Sequence, residues 1–382
     1  VDDETLRYLS LTGRSDEHVA EQLSGAPLGN GHLGSLPAVR VGVLTGGGDC
    51  PGLNAALRAI VRKAETVYGD EIIGFLDAWD GVRERRTIQL DVRAMRGTLP
   101  RGGTVLGTRR GSPYDWPEGP GALRGILDDL SIDALIVVGG NGSLTVATML
   151  GEQFGIPIVG VPKTIDNDIE GTDLTFGFQT AVQIATDAID RLHTTAESHD
   201  RVIIVEVMGR DTGWIATHAG IAGGATVILV PERAFRMDEV CSVLQSRHDR
   251  GRYASIIVVA EGARPVEGTL TMPATERDRF GHTKPTGIAH LIAPYVEQRT
   301  GYETRVVQIG HIQRGGTPTA YDRVLATRFG VAAIDAVHDG AFGHMVALRG
   351  TSIERVALAE VGSRTRLLDP SLYDDVATVF FG

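Results

Sequence analysis

The sequence predicts an α/β protein with two doubly wound, Rossmann-like domains and mainly parallel sheets. Short apolar segments rich in Val and Ile recur along the chain, and amphipathic helical segments separate them. Strands that are apolar throughout and alternate with helices are typical of parallel sheets covered on both faces. With 382 residues, the chain is long enough for two or three domains of about 100–200 residues each.

Seven short, β-branched segments are predicted as strands. In chain order they are residues 39–44, 132–138, 156–161, 202–207, 226–230, 256–259 and 306–309. Apolar residues at helical spacing predict helices over residues 54–67, 179–191 and 322–337. Residues 1–38 are expected to form a separate extension, because they contain a Gly-, Pro- and Asn-containing stretch that is typical of a linker.

The bulk composition excludes several classes of protein. The net charge of −11 argues against binding to the phosphate backbone of a nucleic acid. No apolar stretch approaches the ~18–20 residues that cross a bilayer, and the acidic N-terminal segment resembles neither a signal nor a transit peptide. The two cysteines, Cys50 and Cys241, cannot form a disulfide framework. We therefore expect a cytoplasmic protein with neither a nucleic-acid nor a membrane partner.

Glycine is unusually frequent, with 49 residues against a usual share of about 7%. Much of the excess follows predicted strands, where glycine and charged residues occur together. In open α/β sheets, ligands bind beyond the carboxyl ends of the strands. The six strand exits of this kind are residues 45–49, 139–143, 162–168, 208–210, 261–262 and 310–316. They predict one shared binding site.

Three glycine-rich loops, at residues 46–54, 102–110 and 139–143, are candidates for binding phosphate. Glycine lets backbone N–H groups approach a phosphate, and the N-terminus of a following helix adds partial positive charge. The first loop is neither a Walker A sequence nor a Gly-x-Gly-x-x-Gly fingerprint, and each loop alone is compatible with a simple tight turn. Together they indicate a polyanion such as a nucleoside triphosphate or pyrophosphate. Cys50, within the first loop, is interpreted as a packed residue rather than a nucleophile.

Two carboxylates, Asp166 and Asp168, come just after Lys163, which is one of three lysines in the chain. In phosphoryl transfer the protein mainly positions and neutralises, while one carboxylate accepts the proton of the attacking hydroxyl. The Thr-x-Asp-x-Asp pattern that begins at Thr164 suits this chemistry, with one Asp as base and the other as orienter or metal partner. An Asx turn that caps a loop is the alternative interpretation.

A set of cationic residues is distributed over the later strands, partly beside glycines. Arginine holds phosphate through two parallel hydrogen bonds, so this set is a candidate for phosphate binding. Its members are Arg201, Arg210, Arg305, Arg314 and His311. Surface salt bridges, and for the histidine a buried structural role, are the alternatives.

These motifs closely resemble those of bacterial phosphofructokinases, from about residue 39 to at least residue 330. The matching strings are Gly-Gly-Asp-x-x-Gly-x-Asn at 47–54, Pro-x-Thr-Ile-Asp-Asn-Asp at 162–168, Glu-Val-Met-Gly-Arg at 206–210 and Gly-His-Ile-Gln-Arg-Gly-Gly at 310–316. The resemblance implies an active site in the cleft between two domains. The expected division is an extension over residues 1–38, a phosphate-donor domain over 39–177 plus about 313–360, and a sugar-phosphate domain over 178–312 plus about 361–382.

The resemblance also implies roles for single residues. Asp166 would deprotonate the 1-hydroxyl of the sugar with help from Thr164 and Asp168, and Arg210 would stabilise the transferring phosphoryl group. The other implied positions are Arg201, Met208, Gly209, Glu261, Arg305, His311 and Arg314 for fructose 6-phosphate, Gly47, Arg110, Gly142, Ser143 and Lys163 for the phosphate donor, and Arg58 and Arg62 for an allosteric effector. An exposed helix face explains the last two equally well. Because Arg201 and Arg305 reach across a subunit interface in that family, we expect a homo-oligomer, either a dimer or a tetramer, with shared active sites.

Two positions bear on the phosphate donor. Gly142 favours ATP, because pyrophosphate-dependent members of the family usually carry Asp there, in space that an ATP α-phosphate needs. Lys163 favours pyrophosphate, since a lysine at that position is typical of pyrophosphate users. Actinobacterial members that use ATP also resemble this chain in combining Gly and Lys at these two positions, so ATP is the predicted donor.

Asn141 departs from the family pattern, which has Asp or Glu at this position beside Mg²⁺ and phosphate. Asn keeps an oxygen but removes a negative charge, so a weaker hold on the expected Mg²⁺ cofactor is predicted. The main hypothesis is transfer of a phosphoryl group from ATP to fructose 6-phosphate, giving fructose 1,6-bisphosphate. The alternatives are a pyrophosphate donor, another acceptor such as sedoheptulose 7-phosphate, or a sugar-phosphate-binding regulator that lost turnover through Asn141.

Overall fold

The structure is a computed structural model that describes residues 38–273, 287–361 and 364–381. These residues belong to one compact unit that begins at Ala38. The predicted extension lies outside the described residues, apart from Ala38 itself. Within these three ranges, no helix is long and apolar enough to cross a membrane.

Strands and helices alternate along most of the described chain. The strands are β1 (Arg40–Thr45), β2 (Glu71–Phe75), β3 (Thr87–Leu90), β4 (Ala134–Gly139), β5 (Ile158–Thr164), β6 (Phe176–Gly177), β7 (Val202–Val207), β8 (Val227–Leu229), β9 (Ser255–Ala260), β10 (Thr304–Gln308), β11 (His344–Arg349) and β12 (Ser352–Ala357). The helices are α1 (Leu53–Lys63), α2 (Trp79–Arg83), α3 (Ala122–Asp129), α4 (Asn141–Phe154), α5 (Phe178–His199), α6 (Trp214–Ala222), α7 (Met237–Asp249), α8 (Ile288–Thr300), α9 (Ala320–His338) and α10 (Leu358–Val361).

The strands form two sheets. The larger has the order β12-β11-β5-β4-β1-β2-β3, with β6 beside β5. Its pairings are parallel except at the two edges, where β12 pairs with β11 and β3 with β2 in antiparallel fashion. The smaller sheet has the order β10-β7-β9-β8 and is parallel throughout. The predicted α/β class with mainly parallel sheets is therefore confirmed.

Burial explains why the central strands were recognisable in the sequence. All six residues of β4, β7 and β9 are buried, so each of these strands is almost entirely apolar, as expected for strands that are covered on both faces. Helix α1 buries Leu53, Leu57 and Ile60, which recur at the spacing of one helix face. Helix α1 packs against α9.

All seven predicted strands are present, with ends that differ by no more than a few residues. The predicted helix over 54–67 ends at Lys63 and continues as a π-helical turn, Ala64–Tyr68, while the one over 179–191 extends to His199. Strands β2, β3, β6, β11 and β12 were not predicted from the sequence. Of these, β3 and β12 are half-exposed edge strands with polar residues, so they lack the apolar run that identified the others. The described residues from Ala38 onwards belong to one compact unit, so the predicted domain boundaries stay a prediction.

Candidate active site

The carboxyl ends of the central strands meet at one edge of each sheet. In the larger sheet β4 pairs with both neighbours, joining Thr45 to Val138 and Gly139 to Pro162. The loops after β1, β4 and β5 therefore leave side by side. In the smaller sheet the loops after β7, β9 and β10 leave together for the same reason.

Hydrogen bonds join the two groups of loops into one site. The Nη1 atom of Arg314, after β10, donates to the carbonyl oxygen of Asp49, after β1, at 3.1 Å. The hydroxyl of Thr212 donates to the carbonyl oxygen of Asp166 at 3.3 Å. At these two points the strand exits of the larger sheet contact those of the smaller sheet.

Side chains from other loops approach the first glycine loop closely. A Cβ atom on Gly46 would lie 2.6 Å from Oγ of Ser143, and one on Gly48 would lie 2.6 Å from Nη1 of Arg314. A Cβ atom at either position would make the neighbouring side chain move, and the flexible Arg314 could do so more easily than the short Ser143. The loop is therefore a surface against which Ser143 and Arg314 pack, and its glycines are more than turn formers.

Asn54 fixes the second glycine loop against the first. Its Nδ2 donates to the carbonyl oxygens of Arg101 and Gly102 at 3.0 and 3.2 Å, and its Oδ1 accepts from the amide of Val105 at 2.9 Å. The hydroxyl of Thr108 also donates to the carbonyl oxygen of Gly47 at 2.6 Å. This loop carries Arg110, which is exposed.

The turn after β5 presents the two predicted catalytic carboxylates, Asp166 and Asp168. Between them, Asn167 is buried with a φ of 53°, a left-handed conformation that Asn adopts more readily than most residues. Its Oδ1 accepts from the amide of Thr175 at 3.0 Å. The amide of Asp166 donates to the hydroxyl oxygen of Thr164 at 3.1 Å.

Burial dominates the electrostatics of both carboxylates. It raises the pKa of Asp166, while the cations Arg314, Arg210 and Lys163 oppose that rise. It also raises the pKa of Asp168 to about 7, with the charge of Asp166 as the next cause. The Oδ1 atom of Asp166 is buried and has no hydrogen-bond partner in the described part of the chain. Within the described residues, this oxygen therefore keeps an unused capacity to accept a hydrogen bond.

The smaller sheet contributes Arg210 and Glu261. Arg210 adopts a left-handed φ of 49°, and its amide donates to Oε1 of Glu261 at 3.1 Å. Burial, and next the charge of Asp166, raises the pKa of Glu261 to about 7. Nearby, the amide of Met208 donates to Oε1 of the fully buried Gln313 at 2.8 Å. Gln313 was not predicted as a site residue, although it lies inside the motif at 310–316.

Lys163 lies beneath the first glycine loop, and Cys50 is a buried member of that loop. The side chain of Lys163 is buried, its ammonium group donates to the carbonyl oxygen of Gly48, and burial lowers its pKa. Cys50 is fully buried, and burial raises the pKa of its thiol to about 12. The interpretation of Cys50 as a packed residue is therefore confirmed. Through its hydrogen bond to Gly48, Lys163 supports the conformation of the loop.

Asn141 begins α4 and faces Asp168. Its Nδ2 donates to Oδ2 of Asp168 at 2.9 Å and to the carbonyl oxygen of Asp168 at 3.1 Å. Both neighbours are acceptors, which favours the nitrogen of the amide on this side. The Oδ1 atom of Asn141 is buried and has no hydrogen-bond partner within the described ranges. No group of three or more His, Cys, Asp or Glu side chains in the described part of the chain could hold a metal.

Two predicted substrate residues lie at the opposite edge of the smaller sheet. Arg201 precedes β7 and Arg305 is near the start of β10, and both pair with the carboxylate of Glu303. Seven residues of extended chain separate Arg201 from Met208, which corresponds to roughly 23 Å at about 3.3 Å per residue. Within one chain, the structure does not bring these two arginines to Asp166.

The remaining predicted residues lie on or near the strand exits or on α1. Gly142 and Ser143 form the first turn of α4, and Gly47 and Gly209 lie in the loops after β1 and β7. His311 is exposed on the short helix Gly310–Arg314. On α1, Arg58 is half-buried and Arg62 is exposed.

Comparisons with known proteins give a consistent result. The family model described as phosphofructokinase matches residues 40–337. A pyrophosphate–fructose 6-phosphate 1-phosphotransferase from Streptomyces coelicolor is 56% identical over 344 residues, which are 90% of this chain and all of the relative. An ATP-dependent 6-phosphofructokinase from Mycobacterium bovis is 54% identical over 346 residues, again 90% of this chain and all of the relative. Among solved structures, phosphofructokinase from Saccharomyces cerevisiae is similar, with a TM-score of 0.72 and 34% identity over 84% of this chain and 45% of that chain.

Proposed function

The chain belongs to the phosphofructokinase family of phosphotransferases, and we propose that it transfers the γ-phosphoryl group of ATP to the 1-hydroxyl of fructose 6-phosphate. The observation that carries the proposal is the buried Oδ1 of Asp166, which has no hydrogen-bond partner in the described residues. The positive charges of Arg314 and Arg210 act on this carboxylate and lower its pKa. A buried carboxylate beside cations suits a base that accepts the proton of an attacking hydroxyl.

The proposed reaction uses Asp166 as the base. The 1-hydroxyl of the sugar donates its proton to Oδ1 of Asp166 as its oxygen attacks the phosphorus. Thr164 and Asp168 hold this turn, and Arg210 approaches the transferring phosphoryl group, whose charge it stabilises. Positioning and charge neutralisation account for most of the catalysis of such a reaction.

The acceptor subsite combines Glu261, Met208, Gly209 and Arg314 from this chain. Glu261 lies beside Arg210 and has a raised pKa, so it is able to share a hydrogen bond with a sugar hydroxyl in either protonation state. Two phosphate-binding positions, Arg201 and Arg305, are too far away in the same chain. We propose that a second copy supplies them, which makes the enzyme a homo-oligomer with shared sites.

The space around Gly142 supports ATP as the donor. Gly142 is exposed, and a Cβ atom built on it would meet no atom within 4 Å. Room therefore remains at the N-terminus of α4 for the phosphates of a nucleotide. Lys163, the feature that favours pyrophosphate, is buried and already donates to the carbonyl oxygen of Gly48. Overall identity does not discriminate between donors, because relatives named for either one are similarly close.

The direct test is an assay of fructose 1,6-bisphosphate formation with Mg²⁺ and either ATP or pyrophosphate. We expect turnover with ATP and fructose 6-phosphate, and a kcat/KM at least about tenfold lower with pyrophosphate or with sedoheptulose 7-phosphate as acceptor. Turnover with pyrophosphate alone would contradict the choice of donor. Absence of product with either donor would contradict the proposed function.

Replacing Gly142 by Asp is expected to lower kcat/KM for ATP by about 100-fold and to affect pyrophosphate much less. The carboxylate would enter the open space at the start of α4 and repel the α-phosphate of ATP. Folding is not at risk, because an acidic residue in the first turn of a helix is favourable. Steady-state kinetics with both donors measure the effect.

The matched control for this substitution is Gly142→Asn, which adds nearly the same volume without charge. We expect it to lower kcat/KM for ATP by no more than about tenfold, since electrostatic repulsion is absent. Equal losses in the two variants would show that volume alone limits this position, and the electrostatic explanation would be wrong.

Mg²⁺ is the proposed cofactor, and the residues near Asn141 fit a particular mode of binding. Mg²⁺ in kinases is commonly held by one or two protein oxygens together with substrate phosphates and water. The orphaned Oδ1 of Asn141 and the carboxylate of Asp168 offer such oxygens. When bound, the ion would neutralise charge on the phosphates of the donor.

Asn141→Asp is expected to lower the Mg²⁺ concentration at half-maximal rate by about tenfold. The substitution replaces the amide that donates to Asp168 by a second carboxylate, and two adjacent carboxylates favour a bound cation. The rate measured against free Mg²⁺ at saturating substrates reports the change. Asn141→Ala should shift the curve in the opposite direction, and superimposed curves for all three proteins would exclude a role for this position in holding metal.

The effector role of Arg58 and Arg62 and the cytoplasmic location stay predictions. Both arginines lie on α1, directly after the first glycine loop. Their place on the helix is compatible with binding an anion and with an ordinary solvated helix face.

A further inference from the structure

A short segment near the C-terminus runs beside the turn that carries Asp166. We call residues 365–368 the C-terminal strap. Thr365 forms an antiparallel bridge with Ile169, and the amide of Arg366 donates to the carbonyl oxygen of Asp168 at 2.9 Å. The strap therefore extends the turn after β5 by backbone pairing.

The side chain of Arg366 links this turn to the start of α6. Its guanidinium lies 4.3 Å from the ring centre of Trp214, and its Nη1 donates to the carbonyl oxygen of Asn167 at 3.4 Å. In return, the indole N–H of Trp214 donates to the carbonyl oxygen of Arg366 at 3.1 Å. Trp214 is buried and begins α6 only four residues after Arg210.

Glu232 makes a second link between the strap and the loop of Arg210. One oxygen, Oε1, accepts from the amide of Leu368 at 3.0 Å and from the amide of Gly213 at 3.1 Å. Gly213 is the residue just before α6. The strap is thus tied on one side to the turn of Asp166 and on the other to the loop of Arg210.

We propose that the C-terminal strap is a positioning device, in which Arg366 sets the turn of Asp166–Asp168 relative to Arg210. The proposal rests on the proposed function, in which Asp166 acts on the sugar hydroxyl and Arg210 acts on the phosphoryl group that this hydroxyl attacks. A displacement of about 1 Å between such groups can cost on the order of 100-fold in rate. Arg366 does not need to touch substrate to matter.

Kinetics of Arg366→Ala test the proposal. We expect kcat to fall by about 10- to 100-fold while KM for fructose 6-phosphate changes less than about threefold, because alignment and not binding is lost. Arg366→Lys, which keeps a cation over the indole ring but loses the guanidinium fork, should recover part of the loss. The matched control is Arg364→Ala, an exposed arginine just outside the strap, which should retain the wild-type kcat. A wild-type kcat for Arg366→Ala would overturn the proposal.

Hydrogen–deuterium exchange separates positioning from general stability and needs no turnover. In Arg366→Ala we expect faster exchange only in peptides that cover residues 164–170 and 208–214, with the buried strands β4, β7 and β9 unchanged. Unchanged exchange in those two segments, or faster exchange throughout the protein, would overturn the positioning role. If the wild-type enzyme fails to phosphorylate fructose 6-phosphate, the proposed function fails, and the exchange data still decide the role of the strap.

Discussion

Replacing Asp166 by Asn is expected to lower kcat by about 10³-fold, within the usual 10²–10⁴ range for a general base. Asn has nearly the same shape but cannot accept the proton of the 1-hydroxyl. Because Oδ1 of Asp166 has no partner in the described residues, the substitution breaks no hydrogen bond of that atom. We therefore expect an unchanged unfolding temperature and a KM for fructose 6-phosphate close to that of the wild type. Steady-state kinetics and thermal unfolding provide the two measurements.

The pH dependence of kcat gives a second signature of Asp166. Burial raises the pKa of this carboxyl, so activity should be lost as the pH falls through a value above the ordinary carboxyl range. The cations Arg314, Arg210 and Lys163 lower the pKa of Asp166, and the charge of Asp211 raises it. Asp166 in turn raises the pKa of the half-buried carboxyls Asp168 and Glu261. In Asp166→Asn this loss should be absent from the residual activity.

Asp211→Asn is the matched control, since the same chemical change is made at an exposed residue next to Arg210. Removing the charge of Asp211 lowers the pKa of Asp166, because the neighbouring negative charge raises it. The control should therefore keep kcat within a few-fold and shift the acid limb of the pH profile to lower pH. If Asp166→Asn kept more than a tenth of the wild-type kcat, another group would have to be the base.

Arg210→Ala is expected to lower kcat by about 10²–10³-fold. A preorganised cation at a developing phosphoryl charge is typically worth that much or more. Loss of the guanidinium also removes an influence that lowers the pKa of Asp166, so the acid limb of the pH profile should move to higher pH. Steady-state kinetics between about pH 5 and 8, where protein stability is usually highest, measure both effects.

Arg210→Lys controls for the backbone at this position. Arg210 has a φ of 49°, and Ala and Lys both adopt this left-handed conformation at similar cost. The difference between the two variants therefore reports the side chain. Lys retains the charge but not the planar fork, so we expect a loss about tenfold smaller than that of Ala. A kcat within tenfold of the wild type for Arg210→Ala would mean that Arg210 stays away from the phosphoryl group.

The class of fold was predictable because its central strands are buried on both faces. Strands such as β4 and β7 have to be apolar along their whole length, and this property is local in sequence. The edge strands β3 and β12 were missed because half-exposed residues can be polar. For a strand of that kind, the position in the sheet decides the structure.

The components of the site were also predictable, since each is a short motif at the end of a strand. The turn over 164–168, the glycine loop at 46–49 and the loop at 208–210 all lie at the edge where their strands end. The chemistry of phosphate requires glycine, arginine and carboxylate there. These residue types are close together in the sequence, so a short motif is enough to identify them.

Only the tertiary structure decided how these parts act on one another. It pairs Asn141 with Asp168, buries Lys163 under Gly48, and separates Arg201 from the site by the length of a strand. It also places Arg366 against Asn167, a residue 199 positions earlier in the chain. The sequence by itself determined the fold class, the family and the residue types at the strand ends, because periodicity and motifs are local. Distances, burial and the pKa of Asp166 depend on which distant segments pack together, and no local pattern records that packing.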